Sequence, residues 1–521
     1  MGIEGHPWLV AQTRRISPGS GLNVGTAMPC ARPERPAWSE PSPRASRFPS
    51  RLPVKALLGV VLVFLVWAPS SFAGGPFMMV GAAEDVVKTQ DYAFAKTEMD
   101  KVKLAGFDTI RVTQTWTKGK TALGPNDAIT LDNAMKAAQF TGVRVILSIY
   151  PFGSSVTPLT EQDRLDFTQF AADVVQRYPL LHDVIVGNEP NLNRFWLPQF
   201  GASGEDVAAT AYEQLLAETY DALKVIRPHS TIYGGALAPR GVDKPNTGRD
   251  THSPTAFIAD LGAAYKASGR LIPIMDAFAF HPYPENSATG PNFPHPNGTA
   301  IGLADYPKLV GLLGAAFDGT AQKGSTLPIL YDEFGIETII PAAKAPLYTG
   351  TEPATTKPVD EAVQAQMYLQ AMQMTFCQPT VMGILLFHVQ DEAALSAWQS
   401  GEFYVDGTPK TSLGPVRSAA FGVHRGIVAA CPGLQLTPKL VITTGKPDKT
   451  SVKVFLTCSL DCTYTLTLDG RRLTGTAVGR TPKTVVFQGA LRPGLHRVTA
   501  QGAIPVNTGP AGTASTSFRS R

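Results

Sequence analysis

Between residues 77 and about 425, short apolar runs alternate with longer amphipathic ones, eight times over. No other feature limits the fold as much. The apolar runs are FMMVGAA (77–83), DTIRVTQ (108–114), VRVILSIY (143–150), DVIVGN (183–188), TIYGGALA (231–238), MDAFAFHPY (275–283), PILYDEFG (328–335) and GILLFHV (383–389). Their length and content read as buried strands. The segments between them carry apolar residues at three- and four-residue spacing, as in EQDRLDFTQFAADVVQRY, AATAYEQLLAETYDALKVI and DEAVQAQMYLQAMQMTF. DYAFAKTEMDKVKLAG and DAITLDNAMKAAQFTG each end on a glycine suited to stopping a helix, while KLVGLLGAAFDGT is less regular. Eight strand–helix units predict an α/β fold, a closed (β/α)8 TIM barrel spanning 74–431. An open doubly wound sheet is the competing layout. It often has a Gly-rich turn after its first strand, and MVGAAED holds no G-x-G-x-x-G.

Both ends of the chain differ in texture from the barrel. The first 50 residues are rich in Pro, Arg and Ser and show no apolar period. Lys55–Ala73 then reads KALLGVVLVFLVWAPSSFA, with a basic start, an apolar stretch and a small-residue ending. That is the pattern of a secretory signal peptide, and it predicts a secreted protein. The apolar stretch is short for a membrane span, although an uncleaved N-terminal anchor is the alternative. The basic segment ahead is long for such a leader, which suggests a start near Val54 and a mis-assigned 1–53. Residues 1–73 carry 8 of the 46 Lys and Arg and 3 of the 42 Asp and Glu, leaving 38 basic and 39 acidic side chains, a net charge of −1. The apparent basicity belongs to the leader, so nothing points to nucleic acid or an anionic membrane as partner. Cysteine use agrees with export: beyond Cys30, the remaining four can pair as Cys377–Cys431 and Cys458–Cys462. No Cys or His group has zinc spacing, and no metal or cofactor is expected. After Cys431 a linker begins at Pro432-Gly433. KLVITTG, SVKVFLTCSL, TYTLTLDGRRLTGTA, KTVVFQG and LHRVTAQG then alternate in the manner of a small β-sandwich, 432–508. Residues 509–521 read as a flexible tail.

A barrel places its chemistry at the C-terminal ends of its strands. The fourth run ends in Asn188-Glu189-Pro190, the sixth in His281-Pro282-Tyr283, and the seventh contains Glu333 within YDEFG. The second carries Arg111 and leads to Trp116. Closure would bring Glu189 and Glu333 into one cleft. Two facing carboxylates are what glycosidic bond cleavage requires, one protonated as acid and one ionised. Asp332 and Glu337 are rivals to Glu333. Glu189 alone could be a surface-turn residue, His281 a hydrogen-bonded structural residue, and Arg111 a brace. Trp116, Phe195, Trp196 and Trp398 could stack on sugar faces or pack in the core. Glu84-Asp85 follows the first run, and either substrate contact or a helix start fits it. Asn297-Gly-Thr is an acceptor motif only in a glycosylating host.

N-E-P after the fourth strand, H-x-Y after the sixth and E-F-G after the seventh resemble clan A of the glycoside hydrolases, over roughly residues 77–425. The segment AWQSGEFYVDGTPKTSLGPVRSA, Ala397 to Ala419, is similar to the end of many family 5 and family 39 members. The resemblance implies a retaining, metal-independent glycosidase with a carbohydrate substrate. It implies Glu189 as acid/base, Glu333 as nucleophile, Asn188 as the group bonding the sugar 2-hydroxyl and Tyr283 as a donor to the nucleophile, with Arg111 supporting Glu333 by charge. Many clan members end the eighth strand in Trp as a floor for the sugar; here the position reads Phe387-His388, and Trp398 comes later. A transglycosylase would share every one of these features. A barrel that binds polysaccharide without cutting would be expected to lack one Glu, and a barrel using the two Glu for other proton transfers is a third alternative. Loops 190–205 and 338–358 are placed to shape the cleft.

Overall fold

Eight parallel strands close on one another in chain order. They are β1 (Met79–Ala83), β2 (Thr109–Trp116), β3 (Arg144–Pro151), β4 (Asp183–Val186), β5 (Thr231–Leu237), β6 (Ala277–Phe280), β7 (Ile329–Phe334) and β8 (Val381–Phe387). Each is followed by a helix: α1 (Tyr92–Leu104), α2 (Pro125–Thr141), α3 (Glu161–Arg177), α4 (Val207–Ile226), α5 (Pro254–Ala267), α6 (Tyr306–Phe317), α7 (Glu361–Phe376) and α8 (Leu413–Arg425). β8 pairs back onto β1 from Met79↔Gly383 to Ala83↔Phe387, so no edge is left open. This is the expected TIM barrel, seen in a computed structural model that describes residues 74–427, 431, 437–448, 450–479, 481–504 and 510–520. The leader 1–73 and the linker start at Pro432-Gly433 lie outside the described residues.

The local signals behave as their chemistry requires. Asp91 caps α1 by accepting from the Ala93 and Phe94 N–H groups, and Thr160 opens α3 with a capping box to Asp163. Gly142 ends α2 in the left-handed conformation. Inside the barrel, Met79, Ile146, Ile185, Tyr233, Leu330 and Leu385 form one apolar cluster. A second, larger layer lies between strands and helices and includes Val112, Phe167, Leu215, Phe278 and Tyr368. The register drifts as barrel tilt demands: Ala83 closing β1 is level with Arg111, Arg111 with Ile146, and Ile146 with Asp183 opening β4.

After the barrel, seven antiparallel strands form two sheets. β9 (Leu440–Thr444), β10 (Ser451–Cys458) and β13 (Lys483–Gln488) make one. β11 (Cys462–Leu468), β12 (Arg471–Ala477), β14 (Gly494–Ala503) and β15 (Gly512–Ser520) make the other. Alternate residues such as Val452, Val454, Leu456, Leu466 and Val498 point between them. The run TYTLTLDGRRLTGTA is a hairpin turned at Asp469-Gly470, both at positive φ. The tail expected to be flexible is corrected here: β15 pairs with β14 from Gly502↔Gly512 to Gly494↔Ser520. Its backbone hydrogen bonds come from the neighbouring strand rather than from any apolar signal of its own. The disulfides pair as Cys377–Cys431 and Cys458–Cys462. No helix among the described residues is long and apolar enough to cross a membrane.

Candidate active site

The end of β4 shows why a carboxylate stands at Asn188-Glu189-Pro190. Gly187 has φ +92°, and a Cβ there would lie 2.7 Å from the Tyr212 ring. The Tyr212 hydroxyl donates to the Val186 carbonyl at 2.6 Å and accepts from the Gly235 N–H at 2.8 Å, so the strand end is fixed. Glu189 itself sits at φ +41°, which disfavours a residue with a Cβ. Its N–H donates to the Ala236 carbonyl at 2.8 Å, and its carbonyl accepts from the Leu192 N–H at 2.9 Å. Backbone strain held by flanking hydrogen bonds, on a carboxylate, is a mark of a functional position.

Closure delivers the partners. Arg111 from β2 donates from Nη1 to Glu333 Oε1, from Nη2 to Asn188 Oδ1 at 2.8 Å, and from Nη2 to Ser148 Oγ at 3.2 Å. Its Nε lies 3.5 Å from Asp332 Oδ2. Tyr283 donates its hydroxyl to Glu333 Oε2 at 2.9 Å. His281 stands between the acids: Nδ1–H donates to Glu189 Oε1 at 3.0 Å and Nε2–H to Asp332 Oδ2 at 3.3 Å, with Glu333 Oε2 3.5 Å from Nδ1. One oxygen each of Glu189 and Glu333 and one nitrogen of His281 lie within 4.8 Å of one another.

Burial and charge set the protonation of this network. Burial alone would lower the His281 value, but the charges of Glu333 and Asp332 and the bonds to Asp332 and Glu189 push it up to about 10. Burial opposes ionisation of Asp332, yet His281 and Arg111 hold it below the ordinary carboxylate range. Burial and the Glu333 charge raise Tyr283 well above an ordinary phenol, so it remains a donor. The Glu189, His281 and Glu333 atoms are also the one group among the described residues spaced to hold a cation.

The rivals to Glu333 separate by environment. Asp332 is fully buried beneath Arg111 and His281. Glu337 is buried too, and burial together with Glu352 raises it to about 9, a neutral acid. Glu333 keeps 12 % side-chain exposure, against 15 % for Glu189. Asn188, His281, Tyr283 and Arg111 all reach the site as expected.

Two tryptophans do not. Trp116 is 0 % exposed, edge-on to Phe167, with its Nε1–H donated to the Lys120 carbonyl at 2.7 Å. Trp196 is 1 % exposed and packs edge-on against Tyr212. Neither offers a face to a sugar, so both are corrected to core residues. Trp398 is half-buried, with its ring centroid 4.9 Å from Tyr283 and 5.3 Å from Phe387. Phe195 meets Tyr150 edge-on at 6.2 Å. Glu84 starts no helix; its carboxylate accepts from the N–H groups of Val86, Val389 and Gln390 and ties the β1 loop to the β8 loop. Sequence reasoning passed over Asp332 as a partner and Ser148 altogether. The available signal was a polar side chain inside an otherwise apolar strand run. It also passed over the loop between β6 and α6, residues 281–305, which is longer than the loop it did single out after β4.

No family model matches this chain, and no curated protein does. Solved structures do resemble it. A family 39 glycoside hydrolase from Bacteroides cellulosilyticus WH2 is 17% identical, with 83% of this chain and 74% of that chain covered and a TM-score of 0.47. A glucosidase from Croceicoccus marinus is 11% identical, with 81% and 94% covered and a TM-score of 0.46. An endo-beta-1,4-mannanase from Thermotoga petrophila is 10% identical, with 86% and 98% covered and a TM-score of 0.40.

Proposed function

We propose that the chain is an exported retaining glycoside hydrolase, with Glu189 as acid/base and Glu333 as nucleophile. The observation that carries this is the gap between the two acids at the barrel rim, under 4.8 Å between an oxygen of each. Retaining enzymes hold their carboxyl groups about 5–5.5 Å apart, whereas inverting enzymes need about 6.5–9.5 Å to seat a water between acid and base. In the first step Glu333 attacks the anomeric carbon as its bond to the leaving oxygen breaks, and Glu189 gives that oxygen a proton. Arg111 and Tyr283 orient the attacking carboxylate, each holding one of its oxygens. In the second step Glu189 removes a proton from water as the water oxygen displaces Glu333 from the anomeric carbon. With Oε1 of Glu189 bonded to His281, Oε2 is the oxygen offered to the leaving group. Arg111 occupies Asn188 Oδ1, which turns the Asn188 amide N–H groups toward the sugar 2-hydroxyl. The two disulfides suit an oxidising compartment and support export, and the β-sandwich is read as an accessory domain.

The test is sugar release by residues 74–521 from a panel of plant, fungal and bacterial polysaccharides and aryl glycosides, with Glu189→Gln and Glu333→Gln alongside. Release abolished in both variants is expected. Release that survives in Glu333→Gln would refute the nucleophile, and tight binding without release would favour a non-cutting barrel. New glycosidic bonds among the products would identify a transglycosylase.

A further inference from the structure

The near-zero net charge of the chain beyond residue 73 is the sum of two opposite halves. Residues 74–431 hold 26 Lys and Arg against 36 Asp and Glu, a net charge of −10. Residues 432–521 hold 12 against 3, a net charge of +9, with no glutamate at all. A small domain needs no such excess in order to fold, and self-repulsion works against it. Its three acids are already engaged. Asp448 accepts from the N–H groups of Thr450 and Ser451, Asp461 pairs with Arg425 of α8 at 2.7 Å, and Asp469 pairs with His496.

The outer face of the four-stranded sheet gives part of this excess an arrangement. β11 reads CTYTLTL, with Tyr464, Leu466 and Leu468 turned inward and each Thr outward. Register carries that alternation across the sheet. Thr467 is level with Arg472 of β12 and Thr499 of β14, and Thr499 is level with Ser515 of β15. Two residues along β14 from Thr499, Arg497 faces the same way, and Arg519 of β15 stands opposite Leu495. Arg472, Arg497 and Arg519 are all exposed, and among the described residues no carboxylate forms an ion pair with them. Arg497 donates from Nη2 to Ser515 Oγ at 3.3 Å. Strand spacing and rise set the three arginines roughly 12 and 8 Å apart, on a diagonal across the sheet. The described residues of this face include no aromatic side chain and one large apolar one, Leu495.

We propose that this face of the β-sandwich binds an acidic polysaccharide: its arginines pair with successive carboxylate or sulfate groups along one polymer, and its Thr and Ser hydroxyls bond the sugar hydroxyls between them. Cations spread along a line match a polymer with a repeating anion, whereas a single small anion needs donors that converge on it. The planar fork of arginine suits a carboxylate held at two points. A nucleic acid base would find no aromatic ring to stack on, and a membrane would meet too few apolar side chains to enter its boundary. The barrel, at −10, repels the same polymer, so attachment belongs to the accessory domain. That the partner is a polyanion rests on the charges alone; that it is a polysaccharide rests on the glycosidase reading above.

The experiment uses the full mature chain, 74–521, titrated calorimetrically with polygalacturonate, heparin and neutral dextran. Binding to an acidic polymer and not to dextran is expected, weakening as salt rises; which acidic polymer binds identifies the anion as carboxylate or sulfate. Arg472→Gln, Arg497→Gln and Arg519→Gln together should weaken binding about tenfold, the sum of three exposed ion pairs. Lys at the same three positions should recover most of it. Lys446→Gln, Lys453→Gln and Lys483→Gln together remove equal charge, on and beside the other sheet, and should cost at most about twofold. Equal losses from the two triple variants would mean diffuse charge and overturn the proposal. So would no binding to either acidic polymer, or tighter binding to duplex DNA or to phosphatidylglycerol vesicles. Salt-sensitive self-association in sedimentation, abolished by the arginine variant and indifferent to polysaccharide, would overturn it too. Should that variant fail to fold, the three single Gln variants decide, each expected to lose about twofold; three that bind like wild type overturn it. Glu333→Gln should bind as wild type does. If it still cleaves substrate, the carboxylate assignment has failed; if it is inactive and no acidic polymer is bound, only this inference has.

Discussion

The barrel carries a buried aspartate against an arginine at each end, and the two clusters are finished differently. At the N-terminal end, Arg144 opens β3 and Asp183 opens β4. Arg144 donates to Asp183 from Nε and Nη2, both at 2.7 Å, and the Tyr233 hydroxyl adds a third bond at 2.9 Å. Both carboxylate oxygens are occupied. At the other end Arg111 faces Asp332, Glu333 and Asn188, and Glu333 and Glu189 keep 12 % and 15 % side-chain exposure. The first cluster has its bonds complete and serves as a plug. The second leaves two carboxylates partly exposed at the rim, where a polar ligand can reach them. Polar groups in a core do not by themselves distinguish structure from function; whether a ligand can reach them does.

The comparison can be broken by mutation. Arg111→Met should have the largest effect, because it leaves Asp332 and Glu333 without their guanidinium. We expect a loss of about 3–5 kcal/mol in denaturant unfolding and a fall in kcat of about 10²-fold or more. Arg144→Met should cost about 2–3 kcal/mol, less because the arginine is half-exposed, and should leave kcat within twofold. Equal kinetic damage from the two would erase the distinction. The tyrosines make a finer pair: Tyr283→Phe should lower kcat about tenfold with little change in melting temperature, and Tyr233→Phe should cost about 1 kcal/mol and no rate. A further test is in pH dependence. His281 is raised from 6.5 to about 10 on folding. A raised value means its contribution to stability is complete below about pH 6.5 and is lost as pH climbs toward 10. Unfolding free energies measured across that window should fall more steeply for wild type than for His281→Gln, and parallel curves would contradict the assignment.

Much of this was legible before any coordinates, for physical reasons. Strands buried on both faces write themselves as apolar runs, so all eight could be read. Topology then fixed which residues share the rim, so Glu189, Glu333, His281, Tyr283 and Arg111 converged as expected. The tryptophans failed because an indole in a core and an indole in a cleft have the same composition. Trp116 and Trp196 are buried by contacts with Phe167 and Tyr212 that no periodicity records. β15 was missed because GTASTSFRS has almost no apolar content; its order comes from the ladder with β14.

The central claim is the double displacement at Glu189 and Glu333, and the stereochemistry of the first product tests it directly. Early time points of glycoside cleavage followed by proton NMR report the anomer before mutarotation. The sub-4.8 Å gap predicts a product with the configuration of the substrate. An inverted product would mean that water attacks directly, and would contradict Glu333 as nucleophile.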